Sequence, residues 1–479
     1  MPMPRLAVDR LAAMLPADFT LGVATAAFQI EGAVDDDGRG PSGWDVFAEL
    51  DGAIEDGASP AIAVDHYHRL EEDVALLGDL GVDSYRLSIS WPRVQPEGRG
   101  PWNEKGWAFY DRLIDLLLHA GVSPMVTLYH WDTPLALERD GGWLSRATSE
   151  RFADYAAEAG RRLGDRVPHW ITLNEPVTVT LNGYALGLHA PGRKLFYRAL
   201  PAVHHQLLAH GLATQALRGS GARGQVGITN LHAPVYPKSS RLLDKLHARV
   251  FDTLFNGIYA DPVLLGRYPK LPWLGRGNFQ PLRAVIRKGD LEVIHQPLDF
   301  YGLNYYYPVR IGAGTDPENE LAGEIEALKE LPFHLAEFPE FPRTGFGWPI
   351  APGHIGVQLA ELHRRYGDAL PPIFVTENGA SFPEPSSADE PIDDQERIDY
   401  LASHLESALL SVRPDGPASG VRLAGWFVWT LLDNFEWAAG YSQRFGLVHV
   451  DFDTLERTPK ASFEWLRSLN QARRRQSAA

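Results

Sequence analysis

The sequence predicts a closed (β/α)8 barrel on three observations. Eight short, mostly apolar runs recur along the 479 residues, segments of helical periodicity lie between them, and no Rossmann-type glycine fingerprint is present. Strand alternating with helix implies a parallel sheet, and a count of eight favours a closed barrel over an open doubly wound sheet. Residues 1–479 read as a single barrel domain with long βα loops, since barrels with insertions run past about 400 residues as one unit. Residues 1–15 read as an N-terminal extension, and 472–479, made basic by Arg473, Arg474 and Arg475, as a frayed tail.

The elements follow in order. Strand one is placed at Phe19–Gln29, a helix at His66–Leu80 and strand two at Asp83–Ser90. In strand two Tyr85, Leu87 and Ile89 alternate with Arg86, Ser88 and Ser90, so one face is apolar and packs under the helices while the other faces into the barrel. A helix over Asn103–Ala120 puts Trp107, Tyr110, Leu113, Ile114, Leu117 and Leu118 on one side before Gly121 ends it. Strand three is Pro124–His130, followed by a helix at Ser149–Leu163 and strand four at Trp170–Glu175. A helix at Ala202–Leu217 precedes strand five, Gln225–Leu231; strand six is Asp299–Tyr306. The last turns of the pattern are a helix at Ile355–Tyr366, strand seven at Ile373–Glu377, a helix at Asp394–Leu410, strand eight at Arg422–Leu431 and a helix at Phe463–Gln471. Gly312–Gly345 and Ser381–Pro391 lack a clear period and read as loops after strands six and seven, at the end of a barrel that carries function.

Composition narrows the function. With 45 basic and 61 acidic residues the net charge is −16, a field that repels nucleic-acid phosphates and anionic lipid, so neither is expected as a partner. The absence of cysteine excludes disulfides, thiolate catalysis, zinc–thiolate sites and iron–sulfur clusters. The first residues offer no apolar core of signal-peptide length, and the most apolar charge-free run, Leu423 to Leu432, is too short to span a bilayer. The expectation is a soluble cytoplasmic protein; oligomeric state is left open.

Two strands stop on a glutamate: Trp170-Ile171-Thr172-Leu173-Asn174-Glu175-Pro176 and Ile373-Phe374-Val375-Thr376-Glu377-Asn378-Gly379. Pro176 and Asn378-Gly379 end regular structure, which places both carboxylates at C-terminal strand ends, on strands four and seven. Glycoside hydrolysis needs such a pair, one to protonate the departing oxygen and the other to attack or stabilise the oxocarbenium-like carbon. Arg86 points into the barrel, where an unpaired guanidinium costs several kcal/mol, so it demands a carboxylate. Glu377 is the natural partner; a structural Arg–carboxylate pair elsewhere is the alternative. Asn304 and Tyr306 share a face of strand six, and a phenol donating to the same carboxylate helps keep it ionised. Groups suited to sugar hydroxyls and the sugar's C–H face gather at other strand ends: Gln29, His130, Trp131, Asn174, Trp429, Glu436 and Trp437.

These stretches resemble glycoside hydrolase family 1, the β-glucosidase family, along almost the whole chain. The matching segments include Gln29-Ile30-Glu31-Gly32, Tyr85-Arg86-Leu87-Ser88-Ile89-Ser90-Trp91-Pro92-Arg93, His130-Trp131-Asp132-Thr133-Pro134, Thr172-Leu173-Asn174-Glu175-Pro176, Thr376-Glu377-Asn378-Gly379 and Leu431-Leu432-Asp433-Asn434-Phe435-Glu436-Trp437. The resemblance implies a (β/α)8 barrel and a retaining exo-β-glucosidase, with β-galactosidase or β-fucosidase side activity, acting on small β-glucosides or cello-oligosaccharides. It implies that Glu377 is the nucleophile and Glu175 the acid/base. It further implies that Gln29, His130, Trp131, Asn174, Glu436 and Trp437 bind the sugar, with Trp429 as the platform beneath it and Phe445 nearby. Arg86, Asn304 and Tyr306 match supporting positions around the nucleophile, and Trp348 the aromatic that faces the aglycone. The alternatives are a 6-phospho-β-glucosidase, which Glu436 disfavours by repelling phosphate, and a non-catalytic sugar-binding relative, which two intact glutamates disfavour.

No metal or cofactor is expected. Asp35-Asp36-Asp37-Gly38 superficially resembles a calcium loop, but Val46 stands where its bidentate glutamate belongs. His204, His205 and His210 lie on a helix without the i, i+4 spacing of a zinc site.

Overall fold

Each of the eight apolar runs supplies one barrel strand in the computed structural model, which describes residues 5–270, 276–315, 331–385 and 392–478. The strands are β1 (Thr20–Ala24), β2 (Ser84–Ser88), β3 (Ser123–Thr127), β4 (His169–Asn174), β5 (Gln225–Leu231), β6 (Phe300–Asn304), β7 (Ile373–Asn378) and β8 (Leu423–Trp429). They pair in the order β1–β8–β7–β6–β5–β4–β3–β2 and close on themselves, every pairing parallel. Several strands stop short of their predicted ends. β1 ends at Ala24 because Ala27–Ile30 turns into a short helix, and β3, β6 and β8 end at Thr127, Asn304 and Trp429. The residues beyond these ends have left the ladder and crown the barrel.

Alternation on β2 works as its pattern requires. Tyr85, Leu87 and Ile89 join the large apolar core between strands and helices, while Arg86 enters the barrel, so every residue of β2 is buried. Inside the barrel, Met125, Ile171, Phe300, Phe374 and Phe427 pack together as a separate apolar cluster. Glycines make room for these rings: a Cβ at Gly22 would lie 2.4 Å from Phe427 and one at Gly425 2.7 Å from Phe374.

Structure outside the barrel includes features that sequence periodicity did not mark. Val235–Pro237, Val309–Ala313 and Phe333–Ala336 form a three-stranded sheet, the last two strands of which reach into the stretch Gly312–Gly345 that reads as loop; residues 316–330 of that stretch lie outside the described residues, as do 386–391 of the second predicted loop. After β4 the chain continues as Pro176–Thr178 and a π-helical stretch, Val179–Leu186. The predicted frayed tail is instead helical, Ala461–Ala478 being one continuous helix. Its Arg473 is 8% exposed, donating from Nη2 to both Asp83 carboxylate oxygens at 2.6 Å and from Nη1 to the Phe19 carbonyl. Among the described residues no helix is long and apolar enough to cross a membrane.

Candidate active site

Glu175 and Glu377 both sit at the C-terminal mouth of the barrel, each 4% exposed. Glu175 follows the last residue of β4 in a left-handed conformation, φ 45° and ψ 64°, which a non-glycine residue adopts only when its surroundings hold it there. Its amide donates to the Thr229 carbonyl (2.9 Å), and its carbonyl accepts from the Thr178 amide (3.0 Å). Nine non-glycine residues among those described have positive φ, and three of them, Trp131, Glu175 and Trp437, belong to the predicted site. Backbone strain therefore concentrates at this rim, as it does around functional groups.

The two carboxylates have different neighbours. Glu377 Oε1 accepts from Arg86 Nη1 (2.5 Å) and Oε2 from the Tyr306 hydroxyl (2.8 Å). Glu175 receives neutral donors only: Asn304 Nδ2 at Oε1 (2.6 Å) and Thr178 Oγ1 at Oε2 (2.6 Å). Burial and then the negative charge of Glu377 push the Glu175 carboxyl up to about 7, against which these two hydrogen bonds and Arg86 act only partly. One group is thus paired with a full positive charge, and the other is poised to hold a proton near neutrality.

Arg86 has all its sides satisfied. Beyond Glu377 it donates to the Thr376 carbonyl (3.0 Å), Thr127 Oγ1 (3.3 Å) and Asn174 Oδ1 (2.7 Å). Asn174 Oδ1 also accepts from Asn304 Nδ2 (3.1 Å), and Thr376 Oγ1 donates to Asn304 Oδ1 (2.8 Å). Because Asn174 Oδ1 is committed to two donors, its Nδ2 must face His130 Nε2 at 3.1 Å, so that nitrogen is the acceptor and the proton is on Nδ1. Burial, followed by the nearby Arg86 charge, holds His130 well below the usual histidine range and hence neutral.

The remaining predicted residues join the same constellation. Gln29 Nε2 donates to Asn434 Oδ1 (3.0 Å), the Phe435 carbonyl (2.9 Å) and Glu436 Oε2 (3.3 Å), which ties the turn after β1 to the loop after β8. Burial and the charge of Glu377 push Glu436 up to about 8. Trp131 donates to the Asn174 carbonyl (2.9 Å) and packs on Trp437 at 4.5 Å between ring centres, while His130 stacks near Trp429 at 5.8 Å. Trp348 lies on Phe346 (4.7 Å, 3° between planes) and against Tyr306 (5.3 Å) and Phe445 (5.9 Å). All the residues singled out from the sequence fall within this network.

Sequence reading missed Thr178, Thr376, Asn434 and Phe346. Only Thr178 left a usable signal, since it stands one helical turn after Glu175 behind a helix-starting proline. The helix-borne histidines serve the core: His204 bonds Asp290, His205 the Trp143 carbonyl and His210 Thr172. Asp37 of the acidic loop pairs with Lys105 at 2.8 Å.

Known proteins are similar to this chain along nearly its whole length. The chain is 41% identical over 454 residues to β-glucosidase A of Acetivibrio thermocellus, covering 95% of this chain and 97% of that protein. It is 40% identical over 476 residues to a bifunctional β-D-glucosidase/β-D-fucosidase of Bifidobacterium breve, covering 95% and 97%. Among solved structures, psychrophilic β-glucosidase BglU from Micrococcus antarcticus superimposes with a TM-score of 0.91 at 44% identity, covering 97% of this chain and 99% of that one. With residues 11–475 matching the model of glycosyl hydrolase family 1, the chain belongs to that family.

Proposed function

We propose that the protein hydrolyses terminal non-reducing β-D-glucosyl residues of small β-glucosides or cello-oligosaccharides by double displacement, with retention of anomeric configuration. The observation that carries this reading is the unequal pairing of the two glutamates: Glu377 accepts from the Arg86 guanidinium and the Tyr306 hydroxyl, whereas burial and the charge of Glu377 push Glu175 up to about 7. In the first step a Glu377 oxygen bonds to the anomeric carbon as its bond to the aglycone oxygen breaks, and the Glu175 proton passes to that oxygen. In the second, water attacks the same carbon, Glu175 takes back a proton and Glu377 is released as carboxylate. Gln29, His130, Asn174 and Glu436 supply donors and acceptors to the sugar hydroxyls, Trp429 and Trp437 an apolar surface, Trp131 closes the wall between them, and Phe445 and Trp348 flank the aglycone side. Gln29 Oε1, which has no hydrogen-bond partner among the described residues, leaves an acceptor for a hydroxyl.

The names of the aligned relatives support the glucoside, and the bifunctional relative supports side activity on β-fucosides. A panel of nitrophenyl β-glycosides, with and without a 6-phosphate, tests the reading when the first-released anomer is followed by NMR. The expected result is fastest cleavage of the unphosphorylated glucoside with β-glucose appearing first; α-glucose appearing first, or strict need for the phosphate, overturns it.

A further inference from the structure

Lys460 lies fifteen residues past Phe445 and outside the site itself, yet its ammonium joins two loops that carry it. Nζ donates to Asp433 Oδ1 (2.9 Å) and contacts Glu384 Oε2 (2.6 Å), and all three side chains are at most 3% exposed. Asp433 begins the stretch Asp433-Asn434-Phe435-Glu436, whose next three residues all meet Gln29. Its carboxylate also accepts from the Gly446 amide (2.8 Å) and Arg444 Nη1 (2.9 Å), so it grips the chain on both sides of Phe445. Glu384, seven residues past Glu377, accepts from Arg397 Nη2 (2.6 Å), and Arg397 in turn donates to the Arg444 carbonyl (2.8 Å) and pairs with Asp394 (2.5 Å). Three positive side chains thus face three negative ones in a buried cluster. Removing one member leaves a charge without compensation where water cannot solvate it.

Among the described residues, only Glu384, Asp433 and His449 have the spacing of a metal site. The ammonium of Lys460, within hydrogen-bonding distance of two of them, supplies the cation from the chain itself.

We propose that Lys460 is a positioning residue for the sugar-binding loops: a built-in cation that fixes the loop bearing Glu436 and Trp437 against the loop that leaves Glu377. This rests on the functional reading above. It touches neither the sugar nor the reacting atoms, so its loss weakens binding more than chemistry.

The test is Lys460→Ala assayed on nitrophenyl β-glucoside with and without propylammonium, the fragment removed, and with propanol as the neutral control. Expected are a rise in KM of about tenfold or more with kcat changed much less, and recovery of KM by propylammonium but not by propanol. Unchanged KM in the folded variant, or equal recovery by propanol, overturns the proposal. So does a loss of active sites at unchanged KM, because it reports stability alone. Should Lys460→Ala fail to fold, Glu384→Gln, which keeps the volume and removes one of the ammonium's two charged partners, the one on the loop that leaves Glu377, carries the test by the same KM criterion. A wild-type chain that leaves the glucoside intact sinks the functional reading; one that cleaves it while these variants keep their KM sinks only this proposal.

Discussion

At the scale of single residues, the chemistry turns on what surrounds each carboxylate rather than on the carboxylates themselves. Glu175 has an ordinary value of 4.5 raised to about 7 by burial and by Glu377. Hydrolysis that needs its proton should therefore lose rate as pH rises through about 7. A kcat/KM profile on a substrate with a poor leaving group checks this. In Glu175→Gln, a dinitrophenyl glucoside, whose leaving group needs no proton, should be attacked without that alkaline limb. Persistence of the limb would assign it to another group. Stability gives an independent reading of the same shift. Because the folded-state value is raised, the favourable contribution is complete below 4.5 and is lost as pH climbs through 7. Glu175→Gln should thus match the wild type in urea unfolding near pH 4 and exceed it at pH 8 by up to about 3 kcal/mol, an upper bound set by the shift. Equal midpoints at both pH values would contradict the assigned burial cost.

At the scale of elements, strand interiors were legible and strand ends were not. Alternation on β2 foretold that Arg86 would enter the barrel and meet Glu377, because an inward guanidinium has few ways to be satisfied. It could not foretell where the ladder breaks, since Gln29, in the short helix after β1, and Trp131, beyond β3, are fixed by contacts remote in sequence, with Phe435 and with Asn174 at the end of β4. The small sheet of Val235–Pro237, Val309–Ala313 and Phe333–Ala336 escaped notice for a related reason: strands of three to five residues are too short to establish a period, and their partners are remote in sequence. The C-terminal helix was misread where Arg473, Arg474 and Arg475 looked like a solvated run. Arg473 is instead clamped by Asp83 and the Phe19 carbonyl at the edge of the first two strands. Arg473→Ala should lower stability by about 2 kcal/mol in urea melts, below the full cost of breaking a buried pair because Asp83 is 29% exposed. The exposed pair Arg10–Glu406 should yield nearly nothing when Arg10 is removed, and equal losses from the two would deny the clamp.

At the scale of the whole molecule, the charge of −16 and the mouth of the barrel act on a substrate in the same direction. Glu175 and Glu436 both lie close enough to Glu377 to feel its charge. Among them Arg86 is consumed by Glu377, Asn174 and backbone, so it offers no free positive charge to an anion. Burial and the charge of Glu377 push Glu436 up to about 8, so near pH 7 it holds a proton; a phosphate brought beside it would find no cation and would meet the charge of Glu377 and the field of the whole chain. A neutral sugar feels neither. The nitrophenyl glucoside 6-phosphate should therefore react with kcat/KM lower than the parent by about 100-fold or more, the equivalent of about 3 kcal/mol. The part of that penalty arising from the distant surface should shrink with salt, because exposed charges farther apart than about 10 Å are screened at 0.1 M while the buried carboxylates are not. The expected pattern is a parent rate indifferent to added sodium chloride and a phosphorylated rate that rises several-fold yet remains far below it. Equal rates at low salt would mean that a cation reaches the sugar's sixth position, and the substrate assignment would then move to phosphorylated glucosides.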